Sequence, residues 1–136
     1  MKPTTALVAL GVLGALASFS LFAGESGYPR SVVGTYSSFH YNEQGGDLLG
    51  IEVRLVPTRN GLRAVIQVAE GGAGEVFVVA VTENRGELAF DIPDERDRPG
   101  KFIGRVQAKV LAGTISYPSG ASEYITVKKT TSYWER

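Results

Sequence analysis

The chain contains no cysteine, and only one of its 136 residues is a histidine. Without cysteine there is no disulfide framework, no thiolate zinc site and no cysteine nucleophile. A single histidine excludes a metal site built from several imidazoles. Basic and acidic residues number 14 each, so the chain lacks the positive charge by which nucleic-acid binders attract phosphates. We therefore expect no bound metal, no cofactor and no nucleic-acid partner.

The beginning of the chain predicts export. No charged residue lies between Lys2 and Glu25, and residues 6–16 form one apolar run. A short basic start followed by such a run and by small residues is the layout of a signal peptide. Cleavage is predicted after Ala23 or after Ala17. An uncleaved anchor is the alternative, because an apolar stretch of about 18 residues can begin to span a bilayer.

This layout also predicts the organisation of the chain and its location. Processing would leave no transmembrane segment and would place the protein in the periplasm or outside the cell. The predicted units are a signal peptide over residues 1–23, a linker over residues 24–31 and a folded domain over residues 32–136.

The rest of the sequence shows the two-residue period of β-strands. Apolar residues occupy every second position of residues 49–55, and the run 62–68 repeats the pattern. Between these runs lies Asn60-Gly61, which predicts a hairpin with positive φ at both residues. Similar runs bounded by turn residues predict eight strands, over residues 32–41, 49–55, 62–68, 75–82, 87–92, 101–107, 110–117 and 122–129.

These strands predict an all-β fold. No stretch after Glu25 has a sustained apolar period of 3.6, and hairpin turns join successive strands. The expected architecture is an eight-stranded antiparallel up-and-down barrel, because closure removes exposed sheet edges. A transmembrane barrel is disfavoured, since most runs are shorter than the roughly 9 to 11 residues that a spanning strand needs. Residues 76–81 are apolar on both faces, which indicates a strand covered on both sides or one whose outer face meets a partner.

Four short segments carry a resemblance to a known superfamily. They are Gly34-Thr35-Tyr36, Phe102-Ile103-Gly104-Arg105-Val106, Leu111-Ala112-Gly113-Thr114 and Ile125-Thr126-Val127. Together they resemble the pattern of calycin-type proteins, which include lipocalins, avidins and small secreted bacterial lipocalin-like proteins. Tyr36 stands where lipocalins and avidins carry the tryptophan of a Gly-x-Trp opening. The resemblance implies a lipocalin-like barrel that binds a small apolar or amphipathic molecule, or a surface that binds another protein.

The candidate binding residues follow from the first strand. If Tyr36 and Ser38 point inward, His40 lies on the same face at period two and approaches one mouth of the barrel. Tyr117 is a further candidate for the wall of that site. The predicted ligand-binding residues are therefore Tyr36, Ser38, His40 and Tyr117. A rim histidine that contacts only water is the alternative for His40.

Three other segments invite functional interpretations. Residues 91–100 hold four acids and two arginines. The acids could form a Ca²⁺ site, but the interleaved arginines offset their charge and favour a solvated loop. The glycines of residues 71–74 lack the Lys-Ser/Thr of a phosphate-binding loop and indicate a hairpin tip. Tyr133 and Trp134, close to the chain end, must either dock on the domain or invite a partner.

Two functions remain open. The favoured one is a secreted or periplasmic, non-enzymatic protein that binds a small apolar or amphipathic ligand in or at the mouth of the barrel. The alternative is a protein-binding module, such as an inhibitor or protective partner of an envelope enzyme, that uses exposed loops. An enzyme based on His40 is not favoured, because no nucleophile or orienting acid stands at a recognisable spacing, and no catalytic residue is assigned.

Overall fold

The computed structural model describes residues 31–94 and 99–136, and within them the fold is all-β, as predicted. The first sheet contains β1 (Gly34–Ser37), β2 (His40–Asn42), β3 (Asp47–Thr58), β4 (Gly61–Gly71) and β5 (Ala73–Ala80). The second contains β6 (Thr82–Asn84), β7 (Glu87–Ile92), β8 (Gly100–Gln107), β9 (Val110–Ser116) and β10 (Ser122–Lys128). The predicted signal peptide and its cleavage sites lie outside the described residues.

Both sheets are antiparallel meanders, which confirms the predicted up-and-down order. The first sheet runs β1-β3-β4-β5, with β2 also paired to β3, and the second runs β10-β9-β8-β7-β6. Each strand from β3 to β5 and from β6 to β10 therefore pairs with its neighbour in the chain, as hairpin connections favour. In the described part of the chain no helix has the length and apolar character needed to cross a membrane.

The predicted closed barrel of eight strands is wrong, because residues 31–94 and 99–136 form ten strands in two five-stranded sheets that do not close. Two predicted strands, 32–41 and 75–82, are each interrupted. On one side the sheets meet at an isolated bridge between Tyr36 and Lys129, beside which the Thr130 amide donates to the Thr35 carbonyl at 2.9 Å. On the other side the chain itself passes from β5 to β6 through one residue, Val81.

At Val81 the chain turns a corner from the first sheet into the second. The Val81 side chain is buried, and its amide donates to the Leu62 carbonyl at 3.0 Å. Before this corner the chain pairs with β4, and after it the chain pairs with β7. Continuing the β6–β7 register past Val81 would place Ala80 opposite Asp91, Val79 opposite Ile92 and Val78 opposite Pro93. No pairing between β5 and β7 forms, and the two sheets separate there.

The main core lies between the two sheets. Its largest fully buried side chains are Tyr36 and Phe102, and the Phe102 ring stacks on Phe90 with centroids 4.7 Å apart. The Tyr36 hydroxyl donates to the Val32 carbonyl at 2.7 Å, so the buried polar atom is satisfied. The residues predicted to point inward contribute as expected: Val53, Leu55, Ile66, Leu88 and Phe90 are buried, and Leu49, Ile51 and Val68 are half-buried.

A second, smaller core lies on the outer face of the first sheet. Phe39, Leu48 and Ala69 are buried there, and Tyr133 packs against them from the C-terminal 3-10 turn, Tyr133–Glu135. The ring of Phe39 meets the ring of Tyr133 edge-on at 5.9 Å. The apolar pair near the chain end therefore docks on the sheet, which is one of the two outcomes that the sequence allowed.

The hairpin between β3 and β4 is confirmed, but its turn is displaced by one residue. Thr58 pairs with Gly61, so Arg59 and Asn60 form the two-residue loop and Gly61 begins β4. Gly61 has φ of 103°, whereas Asn60 is not among the residues with positive φ. The prediction of positive φ at both residues is therefore wrong for Asn60. The Thr58 hydroxyl donates to the Gly61 carbonyl at 2.7 Å and accepts the Asn60 amide, which stabilises the alternative turn.

Candidate functional site

Tyr36, the first predicted binding residue, belongs to the core. Its side chain is 0% exposed, and burial raises the pKa of its hydroxyl above the ordinary value of 10.0. The hydroxyl is already used in the bond to Val32. Tyr36 therefore holds β1 against the interior and presents no free polar group to a ligand.

Ser38 and His40 continue the face of Tyr36 but lie beyond the covered core. Ser37 pairs with Glu52 and His40 with Leu49, so the register with β3 is the same on both sides of the interruption at residues 38–39. Both Ser38 and His40 are exposed. The Ser38 amide donates to the Ile51 carbonyl at 2.9 Å, and the Ser38 hydroxyl accepts the Ile51 amide at 3.0 Å in place of the second ladder bond.

The exposure of these two side chains has a structural cause. The C-terminal segment covers this end of the sheet on the opposite face, where it buries Phe39. Among the described residues no comparable element covers the face of Ser38 and His40, and His40 Nδ1 makes its contact with the Ser38 carbonyl at 3.1 Å. His40 therefore lies at the rim of the domain.

Tyr117, the fourth predicted residue, lines a cleft. It follows β9, is half-buried, and donates its hydroxyl to Glu123 Oε1 at 2.6 Å. The absence of a side chain at Gly100 makes its position possible, because a Cβ there would lie 3.3 Å from the Tyr117 ring and 2.7 Å from Ile115. Gly100 therefore lets β8 approach the end of β9 and sets the ring at the edge of the core.

The cleft, with a volume of about 700 Å³, opens where β5 and β7 separate. It lies at the end of the domain where β4, β7 and β9 finish. Its apolar side chains are Val68, Phe77, Ile92, Pro93, Tyr117 and Pro118. Its acidic side chains are Glu70, Glu75 and Asp94, and each of these is already engaged in an interaction within the protein.

The predicted first-strand residues lie at the same end of the domain as the cleft. Ile51 is the partner of Val68, a cleft residue, and its backbone bonds to Ser38. Leu49 is in the same way paired with both His40 and Glu70. Two strand spacings, about 10 Å, therefore separate Ser38 and His40 from the cleft wall. Tyr117 therefore lines the cleft, Ser38 and His40 lie beside it, and Tyr36 is buried in the core.

Sequence reasoning missed the cleft residue Phe77. Residues 76–81 read as apolar on both faces, and in the structure the two faces differ. Phe77 and Val79 are half-buried on the inner face, whereas Val76 is 53% exposed and Val78 65% exposed. The apolar run was the signal, but which of its faces borders a cleft depends on where the second sheet lies.

The described residues hold no cluster of three or more histidine, cysteine, aspartate or glutamate side chains that could bind a metal ion. Part of the acidic loop at residues 91–100, namely residues 95–98, lies outside the described chain. The arrangement that the described residues do offer is an apolar cleft with a polar rim. Such a site can exclude water from an apolar group and leave a polar group in solvent.

Comparison with known proteins gives no further guidance, since no family model, curated protein or solved structure matches this chain. The resemblance to calycin-type proteins therefore stays a prediction. Any functional conclusion has to come from the geometry of the site.

Proposed function

We propose that this protein is a secreted or periplasmic, non-enzymatic binding protein that holds a small apolar or amphipathic molecule in the cleft between β5 and β7. The observation that carries the proposal is the cleft itself, about 700 Å³ with an apolar lining. Pockets for small ligands typically measure about 300 to 1,000 Å³ and combine apolar walls with a few polar groups. The lipocalin-like resemblance and the predicted signal peptide support the same function.

Recognition is assigned to the walls of the cleft. Phe77 and Ile92 face it from the two separating strands, and Tyr117 closes it from β9. Burial of an apolar group against these side chains would supply most of the affinity, at roughly 25 cal/mol per Å² removed from water. The carboxylates of Glu70 and Glu75 are engaged within the protein, so they contribute a polar rim and are not assigned as the main contacts.

A fluorescent probe tests this proposal. N-phenyl-1-naphthylamine is apolar and uncharged, and its emission rises when it leaves water. We expect saturable binding that Phe77→Ala weakens about tenfold, because loss of one aromatic wall removes on the order of 1.4 kcal/mol. Tyr124→Ala is the matched control, since Tyr124 is 70% exposed on the other sheet. Thermal unfolding of each variant verifies that it is folded at the temperature of the titration.

A third variant separates the cleft from the site predicted at the first strand. His40→Ala changes the rim without touching the cleft wall. If His40→Ala weakens probe binding and Phe77→Ala does not, the ligand lies at the first strand and the cleft is not the site. Binding that is unsaturable, or equal in all variants, would also reject the proposal.

A further inference from the structure

The edge of β5 that borders the cleft has unusual properties for an exposed strand. Residues 76–80 pair with β4 on one side, and within the described chain no strand pairs with them on the other. Natural sheets usually protect such edges with charged residues, proline, bulges or a covering element. Residues 76–80 read VFVVA and contain neither a charge nor a proline, while the only charge of β5, Glu75, and its bulge, an extra residue between Ala73 and Val76, lie at the start of the strand.

The opposite wall of the cleft has an unpaired edge as well. β6 pairs with β7 only as far as Ala89, so Phe90, Asp91 and Ile92 pair with β8 alone. β7 ends directly before Pro93, which has no amide hydrogen to donate to a ladder. The cleft is therefore bounded by two strand edges that no other strand of residues 31–94 and 99–136 pairs with.

A small apolar molecule would cover the walls of this cleft but would leave these backbone groups unpaired. An extended polypeptide supplies amide donors and carbonyl acceptors at the spacing of a strand, and its side chains alternate between two faces. The edge of β5 offers two faces to match: Phe77 lies inside the cleft, and Val76 and Val78 are exposed outside. The small residues Gly72, Ala73 and Gly74 keep the entrance to this edge open.

We infer that the ligand of the cleft is a short peptide segment in extended conformation that pairs with the free edge of β5. This inference rests on the proposed function, since it names the ligand class of the same cleft. The segment would add a strand to the first sheet. It would place apolar side chains at alternate positions against Phe77 and Ile92, and the intervening side chains beside Val76.

The absence of native cysteine allows a direct test by disulfide capture. Val76→Cys places one thiol on the outer face of β5, and the probe is the peptide acetyl-Lys-Val-Cys-Val-Thr-amide with its cysteine supplied as the mixed disulfide with 2-mercaptoethanol. Attack by the protein thiolate then forms the new disulfide and releases 2-mercaptoethanol. Paired antiparallel strands hold facing Cα atoms about 4.5 to 5.5 Å apart, within the roughly 4.4 to 6.8 Å that a disulfide spans. Ile103→Cys is the matched control, because Ile103 is 44% exposed on the outer face of the second sheet.

A second peptide controls for side-chain chemistry. It has the same sequence with methyl groups on the three central amide nitrogens, which removes the donors needed for pairing on both edges. With ~0.1 mM peptide we expect capture by Val76→Cys to be about tenfold faster than by Ile103→Cys, because pairing raises the effective thiol concentration to about the millimolar range. The methylated peptide should react with both variants at the slower rate.

Any of the following outcomes rejects the inference that an extended peptide pairs with the edge of β5. Equal capture rates at the two positions, or equal rates for the two peptides, would show that no strand pairing occurs. Rapid formation of a disulfide-linked dimer of Val76→Cys without peptide would show that a second copy occupies the edge. The naphthylamine titration separates the two proposals: probe binding that depends on Phe77, together with unselective peptide capture, would keep the cleft as a small-molecule site and reject the peptide.

Discussion

The hydroxyl of Ser132 donates a hydrogen bond to the carboxylate of Glu52 at 2.6 Å, although 80 residues separate the two in the chain. The second oxygen of Glu52 accepts the Tyr133 amide at 2.9 Å, and the Ser132 hydroxyl also accepts the Trp134 amide. Trp134 Nε1 in turn donates to Gln67 Oε1 at 2.8 Å. These bonds fasten the C-terminal turn to the outer face of β3 and β4. A carboxylate that would otherwise be a solvated surface group thus becomes part of the tertiary structure.

Removal of the Ser132 hydroxyl should loosen this attachment. Ser132 is 8% exposed, and the bond it donates has a charged acceptor. Ser132→Ala is therefore expected to lower the free energy of unfolding by about 1 to 2 kcal/mol. The measurement is the midpoint of urea unfolding, with the exposed neighbour variant Thr131→Ala as control. Equal midpoints for the two variants would mean that the attachment adds no stability.

Gly104 and Gly113 face each other on β8 and β9 beneath the ring of Phe102. A Cβ at Gly104 would lie 2.5 Å from Phe102 Cζ and would also overlap the Ala112 carbonyl. Gly104→Ala should therefore destabilise the domain by about 2 kcal/mol or more, since neither the ring nor the backbone can move freely. Gly72→Ala is the control, because nothing lies within 4 Å of its Cβ position. A Gly104→Ala protein as stable as the control would contradict the close packing of this pair.

The turn between β8 and β9 offers a stabilising substitution. Ala108 and Lys109 have φ of 48° and 64°, a conformation that favours glycine at the second position of a two-residue hairpin loop. The corresponding turn between β6 and β7 does have glycine there, Gly86 with φ of 84°. Lys109→Gly should raise stability by about 0.5 to 1 kcal/mol by removing the strain of a Cβ in this region. Lys109→Ala retains that Cβ and should give no comparable gain in thermal unfolding.

The buried hydroxyl of Tyr36 should make the free energy of unfolding depend on pH in the alkaline range. Burial raises the pKa of its hydroxyl in the folded state above 10.0, so the folded protein retains this proton where the unfolded chain releases it. The contribution of the Tyr36 hydroxyl to the free energy of unfolding is therefore fully present below pH 10.0. It is lost as the pH rises from there through the higher pKa of the folded state, since the unfolded state binds fewer protons in that range.

The matched variant is Tyr36→Phe, which cannot ionise at this position. It should be less stable near neutral pH by about 1 kcal/mol, because the bond to the Val32 carbonyl is lost. Its stability should also fall less steeply than that of the wild type above pH 10.0. Urea unfolding of both proteins at several pH values provides the measurement, and parallel curves would show that Tyr36 does not ionise on unfolding.

The candidate site was only partly predictable. Tyr117 could be singled out as an aromatic residue with a polar end at the close of the predicted strand 110–117, and in the structure it lines the cleft and not the first-strand face for which it was predicted. Ser38 and His40 were placed on the face of Tyr36 by period two, and the unchanged register with β3 agrees with that placement. Their exposure could not be inferred, since it depends on how far the opposing sheet extends over them. Phe77 was hidden in an apolar run for the same reason.

The sequence by itself determined the strands, their antiparallel hairpin order and the inward positions of the core, because alternation and turn chemistry act between residues close in the chain. Only the tertiary structure decided whether the strands close into one barrel. Closure requires β5 to pair with β7, and the chain instead leaves the β4 ladder at Val81 without forming a ladder between these two strands. The tertiary structure likewise decided that the C-terminal segment covers Phe39. The contact between Ser132 and Glu52 that holds it there joins two segments whose local sequence patterns do not predict their pairing. Such long-range contacts form when whole faces pack together, which no local pattern specifies.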